Sequence, residues 1–268
     1  MILNNILMII FLSNPIIGVN YCSNQLKCQG VTNSGCQCSF ASSCKKPKVH
    51  ATTAEVKHAV TDGHNKLREK VANGMENRGG LSGTAELMYA LKWDNQLEYV
   101  ATCWNKQCQF DHDKCRSTEE FPKVGQNLYW SSGQACDWKR DLDAALQGWY
   151  DEVKDMSDQC LHQFGVGCDT MKVGHFTQLA WGSTARVGCS LVEYDGQCQI
   201  ACNYGPSGNF QGQPMYVRGP ATCEFDSVKY KNLCLLRADD ESGAKRIKGI
   251  YKNLYLIIYL IIVIGIYY

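Results

Sequence analysis

The sequence has no surplus of either charge and lacks the short motifs of several well-known chemistries. Its 27 basic and 26 acidic residues give a net charge of +1, so it offers no electrostatic footprint for binding nucleic acid. No Cys-x-x-Cys pair and no His-Glu-x-x-His motif occurs, which argues against zinc knuckles, thioredoxin-like redox chemistry and zincin-type proteolysis. The absence of Asn-x-Ser/Thr predicts that the chain carries no N-linked glycan.

Cysteine, in contrast, is abundant, with 16 cysteines in 268 residues. Residues 1–20 form an apolar stretch, MILNNILMIIFLSNPIIGVN, of the length expected for a secretory signal peptide. Secretion into an oxidising compartment, together with an even number of cysteines, favours a framework of disulfides over metal clusters. We therefore predict an extracellular, disulfide-rich protein that is long enough to bury a sizeable core.

The C-terminal end of the sequence is a second apolar segment, in which residues 254–268 contain no charge. A triad of small residues at 242–244 and the polar spacer KRIKGIYKN precede it, which is the pattern of a GPI-attachment signal. The alternative is a tail-anchor helix that begins near Ile247. On either interpretation we expect residues 244–268 to be a hydrophobic C-terminal signal or anchor. We expect the protein to contact a membrane only through this tail or through the GPI lipid that replaces it.

Hydrophobic spacing predicts helices and strands that interleave around one core. Thr52 and Glu55 fit a capping box, and apolar residues at helical intervals follow, so we predict a helix over about 53–72 with Gly63 interrupting its centre. The turn signal Asp195-Gly196 joins the last two strands into a hairpin. The other predicted elements are helices at 94–108 and 137–153 and strands at 124–130, 186–194 and 199–204.

Two dense motifs stand out, GHFTQLAW at 174–181 and CNYGPSGNF at 202–210. Each sets a histidine, an amide or a Gly-Pro turn among aromatic residues, a composition that core packing alone does not require. Three further stretches accompany them: GHNKLREKVANG from Gly63, CQFDHDKCR from Cys108 and VGQNLYW from Val124. Together they closely resemble the CAP superfamily of cysteine-rich secretory proteins, antigen-five venom allergens and plant pathogenesis-related-one proteins. The NKQCQFDHDKCR and WYDEVKD runs are most similar to the arthropod antigen-five branch.

The resemblance covers roughly residues 21–220 and implies an α+β fold, a disulfide-rich three-layer α-β-α sandwich. It implies a cysteine-rich N-terminal segment at 21–50, a CAP domain at 51–218 and a short cysteine-containing, hinge-like extension at 219–243. Gln199 departs from the apolar residue that the family usually has there, and we interpret its position as the edge of a strand. The disulfides that the resemblance implies are Cys22–Cys36 or Cys22–Cys38, Cys28–Cys115, Cys44–Cys108 and Cys189–Cys202.

The family's cleft contains two histidines and two acidic residues, which the motifs map onto this chain. The histidines are His112 and His175, one acid is Glu152, and the fourth position is Gln126, where many relatives have Glu. Helical spacing independently puts Glu152 on the apolar side of its helix. Because an unpaired carboxylate is costly there, we expect it to have a partner such as a histidine. A purely structural Glu-His pair is the alternative interpretation.

The cleft residues suggest two chemistries besides simple binding. His112, His175 and Glu152 are ordinary zinc ligands, so a zinc ion is a possible but not a required cofactor, and the neutral Gln126 should weaken its binding. Hydrolysis needs a nucleophile within reach of a base. The candidates are Ser183 and Ser207, but Ser207 misses the G-x-S-x-G elbow.

The function that the sequence favours is non-enzymatic binding. Exposed aromatic side chains line lipid or partner grooves, and several relatives bind lipids, so the resemblance implies a small lipid (sterol, fatty acid or eicosanoid) or a host protein as partner. A cleft hydrolase and a divalent-metal-binding protein are the alternatives. The aromatic residues that we predict to be available for such a groove, although core packing is the simpler explanation, are Tyr129, Trp130, Trp138, Trp149 and Tyr150.

Overall fold

The computed structural model of the protein describes residues 18–239. The predicted signal peptide up to residue 17 and the predicted C-terminal signal at 244–268 lie outside the described residues. Within the described range, no helix combines the length and the apolar character needed to cross a membrane.

Helices and strands alternate along the chain, as the hydrophobic spacing predicts. The helices are α1 (Ala54–Ala72), α2 (Asn95–Asn105), α3 (Trp138–Asp151), α4 (Asp158–His162) and α5 (Thr170–Leu179). The strands are β1 (Lys48–His50), β2 (Lys92–Trp93), β3 (Gly125–Ser132), β4 (Arg186–Tyr194) and β5 (Gln197–Gly205).

One sheet organises the molecule, with the strand order β1-β4-β5-β3 and β2 added to β4 in parallel. β4 and β5 form the predicted hairpin, in which Asp195 (φ 51°) and Gly196 (φ 73°) make the turn with the left-handed backbone that such a tight turn needs. Cys189 lies directly opposite Cys202 in this hairpin. β3 pairs only with β5, so it is an edge strand of the described sheet.

Successive residues of β5 show how the layers form. Ala201 packs against Ala101 of α2, whereas the preceding residue, Ile200, packs in a cluster with Val60 of α1 and Leu142 of α3. Because neighbouring residues of a strand point to opposite faces, α2 covers one face of the sheet and α1, α3 and α5 cover the other. The predicted three-layer α-β-α sandwich is confirmed.

All 16 cysteines lie in the described range and form eight disulfides. Cys22 pairs with Cys36, which decides between the two alternatives, and Cys38 pairs with Cys103. The N-terminal segment is therefore tied to the layer that contains α2. The remaining pairs are Cys28–Cys115, Cys44–Cys108, Cys136–Cys198, Cys160–Cys168, Cys189–Cys202 and Cys223–Cys234.

The predictions for α1 are wrong in two details. The cap is Thr53, whose Oγ1 accepts a hydrogen bond from the N–H of Val56 at 3.4 Å, and not Thr52. Gly63 does not interrupt the helix. A Cβ at this position would lie 2.6 Å from Cδ1 of Leu146, so the glycine instead allows α1 and α3 to pack closely.

Gln199 lies in the central strand β5, flanked by both β3 and β4, and not at a strand edge. Its side chain is fully buried. Nε2 donates to Oδ1 of Asn105 and to the carbonyl of Gln109, both at 3.0 Å, and Oε1 accepts from the hydroxyl of Tyr194 at 2.6 Å. The polar residue is thus accommodated because every hydrogen-bonding atom has a partner.

Candidate functional site

Glu152 lies in the turn that follows α3, and its carboxylate faces α5. Oε1 is 2.6 Å from Nδ1 of His175. Oε2 accepts hydrogen bonds from the backbone N–H groups of His175 (2.8 Å) and Phe176 (3.0 Å). The partner of the carboxylate is therefore His175. Because a carboxylate only accepts hydrogen bonds, Nδ1 of the neutral ring carries the proton and Nε2 carries the lone pair.

His112 is held in the same way, but by an amide. Its Nδ1 is 2.8 Å from Oε1 of Gln126. Nε2 of Gln126 donates to Oδ1 of Asp113 and to Oδ1 of Asn203, both at 3.1 Å. These two acceptors fix the orientation of the amide, so Oε1 must face His112. The neutral His112 ring therefore also donates from Nδ1 and leaves its Nε2 lone pair available.

The edge strand β3 brings the two pairs together. Gln126 binds the His112 ring, and the next residue, Asn127, donates from Nδ2 to the backbone carbonyl of His175 at 3.0 Å. Since consecutive strand residues point to opposite faces, the two histidines flank the start of β3 from its two sides. The structure thus gathers His112, Gln126, Glu152 and His175 at one edge of the sheet.

The two dense motifs bind each other. The N–H of Gly208 donates to Oε1 of Gln178 at 2.9 Å, and Nδ2 of Asn209 donates to the carbonyl of Gly174 at 2.8 Å. A Cβ on residue 125 would lie 1.8 Å from the same Gln178 oxygen, so Gly125 is required by this close approach. Much of both motifs therefore serves to position the cleft.

His64 of α1 is linked to the site through Tyr204 and Asn127, a role that the sequence motifs did not predict. Its ring is fully buried, with Nδ1 2.8 Å from the carbonyl of Val60 and Nε2 2.8 Å from the hydroxyl of Tyr204. That hydroxyl in turn is 3.3 Å from Nδ2 of Asn127. Burial lowers the pKa of His64 to about 4, so the ring is neutral at physiological pH.

Arg68, one turn further along α1, is also fully buried. Its guanidinium forms no ion pair with a carboxylate in the described part of the chain and instead donates to backbone carbonyls. Burial lowers its pKa to about 9. The spacing of Val60, His64 and Arg68 by four residues puts all three on one helix face, a signal that the sequence contained. The carbonyls that Arg68 binds are those of Tyr89, Leu179, Trp181, Gly182 and Thr184.

The predicted zinc ligands His112, His175 and Glu152 do not bring three ligand atoms within 4.8 Å of one another in the described part of the chain, so the predicted three-ligand site is not formed. Nε2 of His112 and Nε2 of His175 have no hydrogen-bond partner among the described residues, so both can donate to a metal. Both oxygens of Glu152 already accept hydrogen bonds from α5. The carboxylate therefore orients its histidine, as the outer partners of metal-binding histidines do.

A different group in the described range has three ligand atoms close together. His50, Cys136 and Glu193 place one ligand atom each within 4.8 Å of one another. This group could hold a metal ion, although Cys136 is bonded to Cys198.

Neither serine candidate is placed for nucleophilic catalysis. Ser183 is exposed and forms no hydrogen bond with a residue in the described range, and Oγ of Ser207 donates to the carbonyl of Gly208 at 2.9 Å. Within residues 18–239, no hydroxyl or thiol is hydrogen-bonded to the ring of His112 or His175.

Core packing, the simpler explanation of the five aromatic residues, holds for four of them. Trp149 and Tyr150 are buried in the core, and Tyr129 and Trp138 pack against it. Trp130 alone of the five is exposed, and its Nε1 donates to Oε1 of Gln197 at 2.9 Å.

An amphipathic depression lies elsewhere, between the N-terminal segment and the chain around residues 114–124, and we call it the N-terminal groove. Its volume is about 1060 Å³. Its apolar lining is Val31, Phe121, Pro122, Val124, Pro206 and Phe210, and its charged lining is Lys27, Lys114, Arg116, Lys123 and Glu120. Phe210 and Val31 are among the exposed large apolar side chains of the protein. The two walls of the groove are distant in sequence, and they are joined by the Cys28–Cys115 disulfide and by hydrogen bonds such as that from Nδ2 of Asn33 to the carbonyl of Ser117, which no local sequence pattern reveals.

The fold and the site define a disulfide-rich α-β-α protein with a two-histidine cleft. A model of the Cysteine-rich secretory protein family, CAP, matches residues 61–204. The chain belongs to this family, which confirms the resemblance of its motifs.

Individual relatives point to the venom allergens. The chain is 37% identical over 212 residues to "Venom allergen 5 2" of Polybia paulista, covering 74% of this chain and 98% of that protein. It is 39% identical over 212 residues to "Venom allergen 3 homolog" of Dinoponera quadriceps, covering 75% and 90%. These relatives and the eight disulfides favour a secreted protein.

Solved structures share the fold. NaASP2, solved with Zn²⁺, matches with a TM-score of 0.61 and 27% identity over 73% of this chain and 100% of that chain. BmVAL-1 matches with a TM-score of 0.59 and 26% identity over 69% and 96%.

Proposed function

We propose that this chain is a non-enzymatic binding protein, secreted or tethered to the cell surface, whose ligand is a small anionic lipid such as a fatty acid. The observation that carries the proposal is the N-terminal groove, which combines an apolar lining with two lysines, Lys27 and Lys114, whose side chains form no ion pair with a described residue. Ligand pockets for small molecules commonly have volumes of roughly 300–1000 Å³ and are mostly apolar, with a few polar groups that orient the ligand. The groove has this character.

Two lysines of the groove favour an anionic head group. Lys27 and Lys114 immediately precede the two halves of the Cys28–Cys115 disulfide, whose Cα atoms are 5.3 Å apart. Neither lysine side chain forms a hydrogen bond or an ion pair with a described residue. Two like charges held near each other repel, so an anion bound between them would relieve this repulsion.

The rest of the groove suits a hydrocarbon chain. Phe121 and Val124 form a small apolar cluster with Leu97, and exposed Phe210 lies beyond them with Nζ of Lys123 5.4 Å from its ring. Arg116 is committed to Asp113 and to the carbonyl of Val124, so it does not compete for the head group. A single acyl chain with a terminal carboxylate matches this division.

The cleft supports binding over hydrolysis. Both histidines use Nδ1 for Gln126 and Glu152, and no nucleophile is hydrogen-bonded to either ring in the described part of the chain. A hydrolase of the serine or cysteine type needs that contact.

Displacement of a fluorescent fatty acid tests the proposal. We expect saturable binding at micromolar protein, weakened about tenfold, or about 1.4 kcal/mol, by Lys27→Glu with Lys114→Glu. The control is Lys45→Glu with Lys46→Glu, two exposed lysines outside the groove, which should leave binding unchanged. Absence of saturable binding by the unaltered protein would contradict the proposal.

Surface tethering rests on the sequence at 242–268. Phosphatidylinositol-specific phospholipase C should release a GPI-linked protein from the membrane fraction. A tail anchor would keep the protein in that fraction.

A zinc ion at the cleft is a second candidate function, supported by the free Nε2 atoms of His112 and His175 and by a relative, NaASP2, that was solved with Zn²⁺. Calorimetric titration of zinc should give heat that His112→Ala removes, and identical heats would reject this site. Gln126→Glu should raise the affinity because it restores a negative charge beside His112.

A further inference from the structure

A second group of potential metal ligands lies where β1, β4 and the segment before α3 meet. Nε2 of His50 in β1 is 2.9 Å from Oε2 of Glu193 in β4. Sγ of Cys136, in the segment before α3, lies within 4.8 Å of a ligand atom of His50 and of a ligand atom of Glu193. Among residues 18–239, no other three histidine, cysteine, aspartate or glutamate side chains come this close.

The sheet register explains why these side chains meet. His50 pairs with Leu191, and Glu193 follows Leu191 by two residues on the same face. Cys198 of β5 lies directly opposite Glu193, so its side chain is on this face too. Cys198 is bonded to Cys136, which adds a fourth potential ligand to the group.

In the oxidised protein the group has too few ligands to hold zinc. Zinc binds cysteine as the thiolate, and neither sulfur is a thiolate while Cys136 and Cys198 form a disulfide. Only His50 and Glu193 remain, whereas structural zinc sites have four ligands.

We infer that opening the Cys136–Cys198 disulfide creates a zinc site from Cys136, Cys198, His50 and Glu193. A thiol reductant supplies two electrons and two protons and becomes a disulfide itself, leaving two protein thiols. Zinc binding then displaces the two thiol protons. The ion brings two positive charges to two thiolates and one carboxylate, so it relieves the repulsion among them.

The required movement is small. Zn–S bonds of about 2.3 Å and Zn–N or Zn–O bonds of about 2.1 Å place tetrahedral ligands roughly 3.3–3.8 Å apart. The Cα atoms of Cys136 and Cys198 are 5.5 Å apart, so rotation of the two side chains is enough to separate the sulfurs. The preceding residues 133–135 are exposed, so a reductant can approach the chain beside Cys136.

Zinc binding would shift the redox equilibrium of this disulfide toward its reduced form. The metal binds only the reduced form, so it favours that form by mass action. The other seven disulfides have no comparable histidine and carboxylate beside them in the described range, so the effect is specific to Cys136–Cys198.

The decisive test uses the full chain with Cys198→Ser, which frees Cys136 without any reductant and changes no cysteine of the other seven pairs. It keeps three of the four proposed ligands, and water fills the fourth position, as in zinc sites with three protein ligands. All proteins carry His112→Ala to remove the cleft site. We expect Cys198→Ser to bind one zinc ion by calorimetry and native mass spectrometry. Cobalt in its place should show thiolate-to-metal absorption, and the parent with its disulfide should show neither signal.

Variants of the other ligands, and chemical reduction as a second way to open the disulfide, test the same site independently. Adding His50→Ala or Glu193→Gln should weaken zinc binding at least about tenfold, whereas Lys48→Ala on the same strand should not. If Cys198→Ser fails to fold by circular dichroism, mild phosphine reduction of the parent, with alkylation mapping of the opened pair, replaces it. Equal zinc binding with and without the disulfide, no effect of His50→Ala, or loss of the fold by both routes overturns the inference.

Discussion

Glu152 holds His175 by both its ring and its backbone, through contacts of 2.6 Å to Nδ1 and 2.8 Å to the N–H. One carboxylate from the turn after α3 thus fixes the residue that gives the GHFTQLAW motif its histidine. A third bond, from the N–H of Phe176, makes this carboxylate part of the packing of α5 as well as part of the cleft.

Glu152→Gln should destabilise the protein. An amide has one acceptor oxygen, so it cannot accept all three hydrogen bonds, and its NH₂ group would face a donor. We expect the free energy of unfolding, measured with urea, to fall by about 1–3 kcal/mol. Asp155→Asn, an exposed acid of the same turn, is the control and should change it by less than about 0.5 kcal/mol. Similar losses for both variants would contradict this account.

His64 should make the protein less stable in mild acid. Burial lowers its pKa to about 4 in the folded state, whereas the unfolded value is about 6.5. Between these values the unfolded chain binds a proton that the folded protein does not, so stability falls as the pH falls. From pH 6.5 to 5 we expect a loss of about 1.5 kcal/mol.

The pH dependence of unfolding in His64→Gln isolates this effect. The variant should be less stable than the unaltered protein at every pH. Its free energy of unfolding, however, should fall much less between pH 6.5 and pH 5 than that of the unaltered protein. His58→Gln, an exposed histidine on the same helix, should keep the pH dependence. A pH dependence that survives in His64→Gln would assign it to other groups.

The strongly periodic elements were predictable from the sequence, and the short ones were not. The strand at Arg186–Tyr194 and its turn were predicted to the residue, because apolar alternation and Asp195-Gly196 act locally. β2 has two residues and α4 has five, too few to show a period, so they depend on tertiary contacts.

The cleft was predictable by its motifs, but the roles of its members were not. His112, Gln126, Glu152 and His175 do come together, yet Glu152 binds backbone N–H groups as well as a ring, which no pattern of residue types reveals. The N-terminal groove was not predicted for a related reason, since its walls are distant in sequence and are joined by a disulfide and by hydrogen bonds between residues far apart along the chain.

Gln199→Val, which installs the kind of residue that relatives usually have, should be destabilising in this chain. It would leave Asn105, Gln109 and Tyr194 without their buried partner. We expect a loss of about 2 kcal/mol in the free energy of unfolding. Gln197→Val removes only the bond from exposed Trp130 and should cost less than about 1 kcal/mol. A neutral or stabilising Gln199→Val would show that the valine side chain packs well enough to replace the network.

Removing the Cys28–Cys115 disulfide should weaken both the fold and lipid binding. Because Cys38–Cys103 stays closed, the loop that the Cys28–Cys115 bond closes is on the order of 20 residues, and its loss should cost about 3 kcal/mol. Serines at both positions should also lower fatty-acid affinity about tenfold, since this bond holds Lys27 and Lys114 together in the groove. Serines in place of Cys223–Cys234, with a separation of 11 residues, should cost nearly the same stability, about 3 kcal/mol. That pair does not line the N-terminal groove, so its removal should leave fatty-acid affinity intact. An equal loss of affinity in both double variants would mean that lipid binding depends on overall stability and not on the groove.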